Sequence, residues 1–176
     1  MPKKTKPYDQ LIVGLDPSSV CCGCGVLTER GALVTGLLLL PRHRTSPTSD
    51  RVIDLADEVE VWLDRLEPAV ILVEWTTGKV GARHKGKGAG LAVYGAGVGA
   101  ILDRCHCWCR GARAIIHAIC ENEWTRGVPK RERQLAIAAL YPEYAAMIAE
   151  DPGGDVADGI GLADWWLREQ SVRRCV

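Results

Sequence analysis

Three apolar-rich, extended segments open the chain in quick succession, residues 10–16, 21–28 and 32–40, separated by Pro17-Ser18-Ser19 and Glu29-Arg30-Gly31. Separators this short and turn-rich predict an antiparallel meander, with Gly31 where the turn requires a positive φ. After a polar loop over 41–47, apolar residues recur at helical spacing: Val52, Ile53, Leu55, Ala56, Val59, Trp62, Leu63 and Leu66. They predict a helix with Thr48 or Ser49 as its N-cap, stopped by Pro68. Residues 69–74 (AVILVE) form a continuous apolar run, the pattern of a strand buried on both faces at the centre of a sheet.

Residues 76–90 carry Gly and basic residues in a pattern that cannot pack, and predict a mobile basic loop. A small-residue helix follows over about 91–104, then an undecided stretch at 105–113 and a short strand at 114–118. A polar connection over 121–129 leads, through Pro129 at a helix first turn, to a helix over 130–140. Tyr141-Pro142 breaks it, a short helical piece covers 143–150, and the loop Asp151-Pro152-Gly153-Gly154 introduces a last helix over 155–170 with Val156, Ile160, Ala163 and Leu167 at core spacing. The whole predicts an α/β fold with a mixed five-stranded sheet flanked by helices.

The 176 residues suit a single domain spanning 1–176, with a basic lead-in over 1–9, and the 47% apolar content is enough to bury a core. Lys plus Arg (22) balance Asp plus Glu (22), so any polyanion site must come from local clusters. Eight cysteines fall short of a disulfide scaffold. The N-terminus lacks the pattern of a secretory signal, and the longest apolar stretch is too short and Gly-rich to span a bilayer. The expectation is a cytoplasmic protein with no membrane partner.

Four acids stand where folding alone explains them poorly. Asp16 ends the first strand, Glu74 ends the central strand, and Asp155 and Asp158 open the last helix at i, i+3 spacing, on one face and at the favourable end of the helix dipole. If the two strands are neighbours, Asp16 and Glu74 face one crevice at the carboxyl ends of a sheet. Each acid taken singly has a plainer role: turn former, strand-end acid, helix cap or solvated helix residue. Jointly they form a like-charge cluster that a cation must compensate, and oxygen-only donors select Mg²⁺, with Mn²⁺ able to substitute. Two ions about 4 Å apart would activate water and stabilise the leaving oxygen of a phosphodiester. This is nuclease chemistry.

The segment Leu11-Ile12-Val13-Gly14-Leu15-Asp16-Pro17-Ser18-Ser19 through Gly23-Cys24-Gly25-Val26 resembles the opening strand and hairpin of RuvC-type Holliday junction resolvases of the RNase H-like superfamily. Asp155-Val156-Ala157-Asp158-Gly159-Ile160 is similar to that family's D-x-x-D-A helix, with Gly in place of Ala at 159, and Ile71-Leu72-Val73-Glu74 to its acidic central strand. The resemblance covers nearly the whole chain. It implies an RNase H-like fold and metal ligands at Asp16, Glu74, Asp155 and Asp158, with two ions per active site. Through the segment 122–130 it implies that Lys130 contacts the scissile phosphate. The implied activity is symmetric paired nicking of four-way DNA junctions by a homodimer, leaving 5′-phosphate and 3′-hydroxyl ends, in a bacterial cell or from a phage acting in its host. A branch-migration helicase is a compatible partner. Other branched DNA, flaps, RNA, or junction binding without cutting remain alternatives.

DNA-backbone contacts are expected from Lys79, Arg83, Lys85 and Lys87 in the basic loop and from Arg126, Lys130, Arg131 and Arg133 near the fourth helix, with Arg42 and Arg44 as further candidates. The chain has no Phe, so Trp75 and Tyr94 are the candidates for stacking at a junction centre. Glycines at 88, 90, 95, 97 and 99 make the neighbouring helix thin on one side, for a dimer interface or for packing on its own sheet. The Cys105-His106-Cys107-Trp108-Cys109 run lacks usual zinc spacing and is expected to hold reduced, partly buried thiols.

Overall fold

The structure, a computed structural model, describes residues 10–75 and 88–174, without the side chains of 88–91 and 174. Strands β1 (Leu11–Pro17), β2 (Cys22–Thr28), β3 (Leu33–Leu39), β4 (Val70–Trp75) and β5 (Ile115–Cys120) make one sheet in the order β3-β2-β1-β4-β5. The first three pair antiparallel, as the tight turns require, and Gly31 turns with φ +83°. β4 pairs parallel with β1 and with β5.

Alternation along the strands divides the core into two layers. Val13, Leu15, Ile71 and Val73 pack with α1 (Thr48–Leu66) and α2 (Gly88–Ala112). Ile12 and Leu72 point to the other face, where they meet α4 (Lys130–Leu140), α5 (Ala145–Glu150) and α6 (Asp155–Arg174). Trp62, Trp165 and Trp166 pack against these two clusters. Among the described residues, no helix is long and apolar enough to cross a membrane.

Several boundaries differ from expectation, each for a local reason. Pro47, not Thr48 or Ser49, occupies the N-cap of α1 with no side-chain cap bond, and the helix ends when Glu67 turns left-handed at φ 49°. The undecided stretch at 105–113 is helical: Cys105, Trp108 and Cys109 recur at i, i+3, i+4 and are buried, so α2 continues to Ala112 before Arg113 turns left-handed at φ 61°. The alternate thiols are therefore on a helix rather than a strand, with Cys107 exposed between its buried neighbours. The connection over 121–129 contains a short helix, α3 (Glu121–Thr125), closed at its start by a Cys120/Glu123 capping box and at its end by left-handed Arg126. A 3-10 turn over Pro142–Tyr144 precedes α5.

Candidate active site

The register of β1 and β4 sets the first pair of acids side by side. Leu15 lies opposite Val73, so Asp16 and Glu74 follow at adjacent carboxyl ends of parallel strands, on the face covered by α6. The second pair arrives because α6 lies directly on β1 and β2. A Cβ at Gly14 would overlap the Gly159 carbonyl, and one at Gly25 would overlap the Ile160 backbone. No side chain separates sheet from helix along this seam. The Gly at 159, where the resembled motif has Ala, belongs to it: a methyl there would stand 2.8 Å from the Gly23 carbonyl oxygen.

Asp151 fixes the start of α6. Its Oδ2 accepts the Val156 N–H at 2.8 Å and its Oδ1 the Gly153 N–H at 3.0 Å, while Gly154 turns at φ +72°. The cap is thus Asp151, which leaves Asp155 and Asp158 in the first turn free to face the site.

Three of the four acids converge on one ammonium. Lys130, at the start of α4, places Nζ 2.6 Å from Asp155 Oδ1, 3.1 Å from Asp158 Oδ2 and 3.3 Å from Asp16 Oδ2. Asp158 also receives both arms of Arg133, Nε on Oδ1 at 2.8 Å and Nη2 on Oδ2 at 2.7 Å. The Trp124 indole N–H donates to Glu74 Oε2 at 2.8 Å, and the Cys21 thiol donates to Asp155 Oδ2 at 3.2 Å. Asp158 is 1% exposed, Glu74 7% and Asp16 8%, so these charges have little access to water.

That burial governs the titration. Burial first, and the Glu74 charge next, hold Asp16 well above the usual carboxylate range, with Lys130 pulling the other way. Burial and then Asp158 push Glu74 up to about 7, against the lowering effects of Trp124 and Lys130. Burial works against the Lys130 charge, but Asp16, Asp158 and Asp155 override it and keep the ammonium protonated above its ordinary range. Burial, partly offset by Ser18 and reinforced by Asp155, pushes Cys21 up to about 12, so the thiol keeps its proton.

Asp16, Glu74, Asp155, Asp158 and Lys130 are therefore brought together. Arg133 joins them, but turned inward onto Asp158 and the Val128 carbonyl rather than outward to solvent. Tyr94 is half-buried on α2, and its hydroxyl pKa is raised by burial first and then by the Asp16 and Glu74 charges. Trp75 is 40% exposed directly after Glu74. Arg131 is exposed, Arg126 pairs with Glu169 at 2.9 Å, and Arg42 pairs with Glu58. Lys79, Arg83, Lys85 and Lys87 lie outside the described residues, as does the lead-in over 1–9. On α2, the expected thin side divides: Gly97 packs on Ser18 and Ser19 of its own chain, while a Cβ at Gly95 or Gly99 would meet open space.

Among the described residues, no three His, Cys, Asp or Glu side chains are arranged as they stand to hold a metal ion; the Lys130 ammonium stands between the acids instead. The donor set still fits a hard divalent cation. It offers carboxylate oxygens from three elements, two of them pushed toward protonation by burial and mutual repulsion, which is the imbalance such a cation relieves.

An antiparallel meander continued by two parallel strands, with helices on both faces, is the RNase H-like architecture in the form taken by RuvC-type resolvases. Solved structures share it. Thermus thermophilus RuvC in complex with Holliday junction substrate matches with a TM-score of 0.65 and 16% identity, covering 92% of this chain and 96% of that one. The yeast mitochondrial Holliday junction resolvase Ydc2 gives 0.63 and 13%, over 98% and 83% of the two chains. The fowlpox virus resolvase with its substrate Holliday junction DNA gives 0.58 and 11%, over 92% and 99%. No protein-family profile and no curated protein sequence matches this chain.

Proposed function

We propose that this protein is a metal-dependent endonuclease that resolves four-way DNA junctions by paired symmetric nicking. The observation that carries this reading is the convergence of Asp16, Glu74, Asp155 and Asp158 at the carboxyl ends of β1 and β4 beneath the start of α6. Support for the substrate comes from the fold, shared with resolvases from a bacterium, yeast mitochondria and a poxvirus.

In this reading the four acids hold Mg²⁺, two ions per site. Bound there, the metal supplies an activated water and charge stabilisation for the leaving 3′ oxygen, giving 5′-phosphate and 3′-hydroxyl ends. Asp16 and Glu74, fixed on adjacent strands, set the floor of the site, and Asp155 and Asp158 reach it from the first turn of α6. Lys130 is part-exposed, and in this reading its ammonium exchanges the carboxylates for a phosphate oxygen when DNA binds. Trp75 and Tyr94 flank the same strand end as stacking groups, and Arg126 and Arg131 offer charge to the backbone. Two such sites related by a twofold axis match a junction with two equivalent strands to cut, so the active species is a homodimer working in the cytoplasm.

The test is to incubate purified protein with labelled four-way junction, linear duplex, flap and RNA–DNA hybrid, with Mg²⁺ or EDTA. Expected are paired nicks on the junction alone, lost in EDTA and reduced at least about 10²–10³-fold in Asp16→Asn and Glu74→Gln. Cutting of flap or hybrid in preference to the junction would reassign the substrate. Tight junction binding without any cutting would remove the nuclease reading.

A further inference from the structure

Two of the four acids are anchored from behind by a stacked pair of side chains. The buried Trp124 ring of α3 donates its indole N–H to Glu74 Oε2 at 2.8 Å. The Arg133 guanidinium of α4 lies over that ring, its carbon 5.0 Å from the ring centroid, and forks onto both oxygens of Asp158. A third arm, Nη1, donates to the Val128 carbonyl at 2.7 Å in the turn between the two helices. Glu74 comes from β4 and Asp158 from α6, so one stacked pair joins acids from two elements that are remote in sequence.

Counting acceptor positions shows that the pair orients the acids without consuming them. A carboxylate offers about four lone-pair sites. Glu74 gives one to Trp124, which leaves about three. Asp158 gives two to Arg133 and one to Lys130, so withdrawal of Lys130 leaves it about two. The residue types are also particular. Phe in place of Trp124 keeps a ring under Arg133 but has no donor for Glu74, and Lys in place of Arg133 keeps the charge but has no planar fork to stack flat on the ring and meet both Asp158 oxygens in parallel.

We propose that Trp124 and Arg133 are a positioning pair that presets Glu74 and Asp158 for a divalent cation, so that their loss weakens metal binding rather than DNA binding. The proposal rests on the reading of the four acids as a metal site. Both residues act through the carboxylates they hold.

The test is calorimetric titration of the metal-free full chain with Mn²⁺, without DNA, for wild type, Trp124→Phe and Arg133→Lys. Each substitution is expected to raise the Mn²⁺ Kd about tenfold or more, with junction affinity measured in EDTA unchanged. A folded Trp124→Phe with the wild-type Mn²⁺ Kd overturns the proposal. A second measurement needs no change at these positions: the Trp124 indole N–H resonance is expected to move on Mg²⁺ addition and again in Glu74→Gln. A resonance that responds to neither overturns it as well. A wild-type chain that binds Mn²⁺ but cuts no junction overturns the proposed function and leaves the positioning pair standing, whereas one that binds no Mn²⁺ overturns the metal site and the positioning pair together.

Discussion

At the scale of single residues, Glu74 shows what the cluster costs the metal-free fold. Its carboxyl titrates near 7 in the folded chain against about 4.3 when unfolded, so between these values the native state binds a proton that the unfolded state has lost. The slope of stability with pH is then negative for this group. Its favourable share is complete only below about pH 4 and is gone above about pH 7, for a total of about 3 kcal/mol. Urea denaturation in EDTA should therefore show wild type losing stability relative to Glu74→Gln as pH rises from about 5 to 8. Parallel curves for the two proteins would mean that Glu74 is not strained by burial. The four acids were legible in sequence only through their joint placement at two strand ends and a helix start, since each taken singly has an ordinary structural role. Arg133 was legible only as a basic residue beside Lys130, since nothing in the spacing says that it folds back onto Asp158. Trp124 carried no signal beyond being an indole in a polar stretch, and its donor role depends on a partner 50 residues away.

At the scale of elements, the docking of α6 on β1 and β2 decides whether the two pairs of acids meet. The contact is backbone against backbone, so Gly25→Ala drives a methyl into the Ile160 backbone where no flexible side chain can yield. Overpacking of this kind costs about 1–3 kcal/mol. Gly25→Ala should lower the urea midpoint accordingly and reduce cleavage in the protein that remains folded, while Gly111→Ala, which meets open space, should leave both unchanged. The strands and most helices followed from apolar periodicity and turn residues. The extent of α2 did not, because the two thiols and Trp108 that carry its last core positions sit in a run that reads equally as alternating. The α3 helix escaped because its capping box uses a cysteine where Ser or Thr is the usual signal.

At the scale of the whole molecule, the site draws on parts that are remote in sequence: two strands, the last helix, and the α3–α4 segment that brings Lys130, Arg133 and Trp124. A ligand bound by all of them stabilises the whole fold by mass action, by about 2.7 kcal/mol at a hundredfold excess over its Kd. Saturating Mg²⁺ should thus raise the thermal midpoint of the wild type by several degrees and that of Asp16→Asn by much less, measured by calorimetry at pH 8. Equal shifts in the two proteins would place the ion elsewhere. Topology is the part of this picture that sequence carried least directly, since the adjacency of β1 and β4 is a pairing across more than fifty residues, and in sequence it stood only as the condition for Asp16 and Glu74 to share a crevice.

The glycine seam under α6 also bears on how this protein can change over time. A tight contact between two side chains can drift, because enlarging one is offset by shrinking the other. Where Gly14 and Gly25 face the backbone of α6, neither side has anything left to shrink. A substitution there has no local second-site remedy, and the separation between helix and sheet is shielded from neutral variation. Lineages of this chain are then free to vary the outer helices and loops, while the spacing of the four carboxylates is inherited as a fixed length.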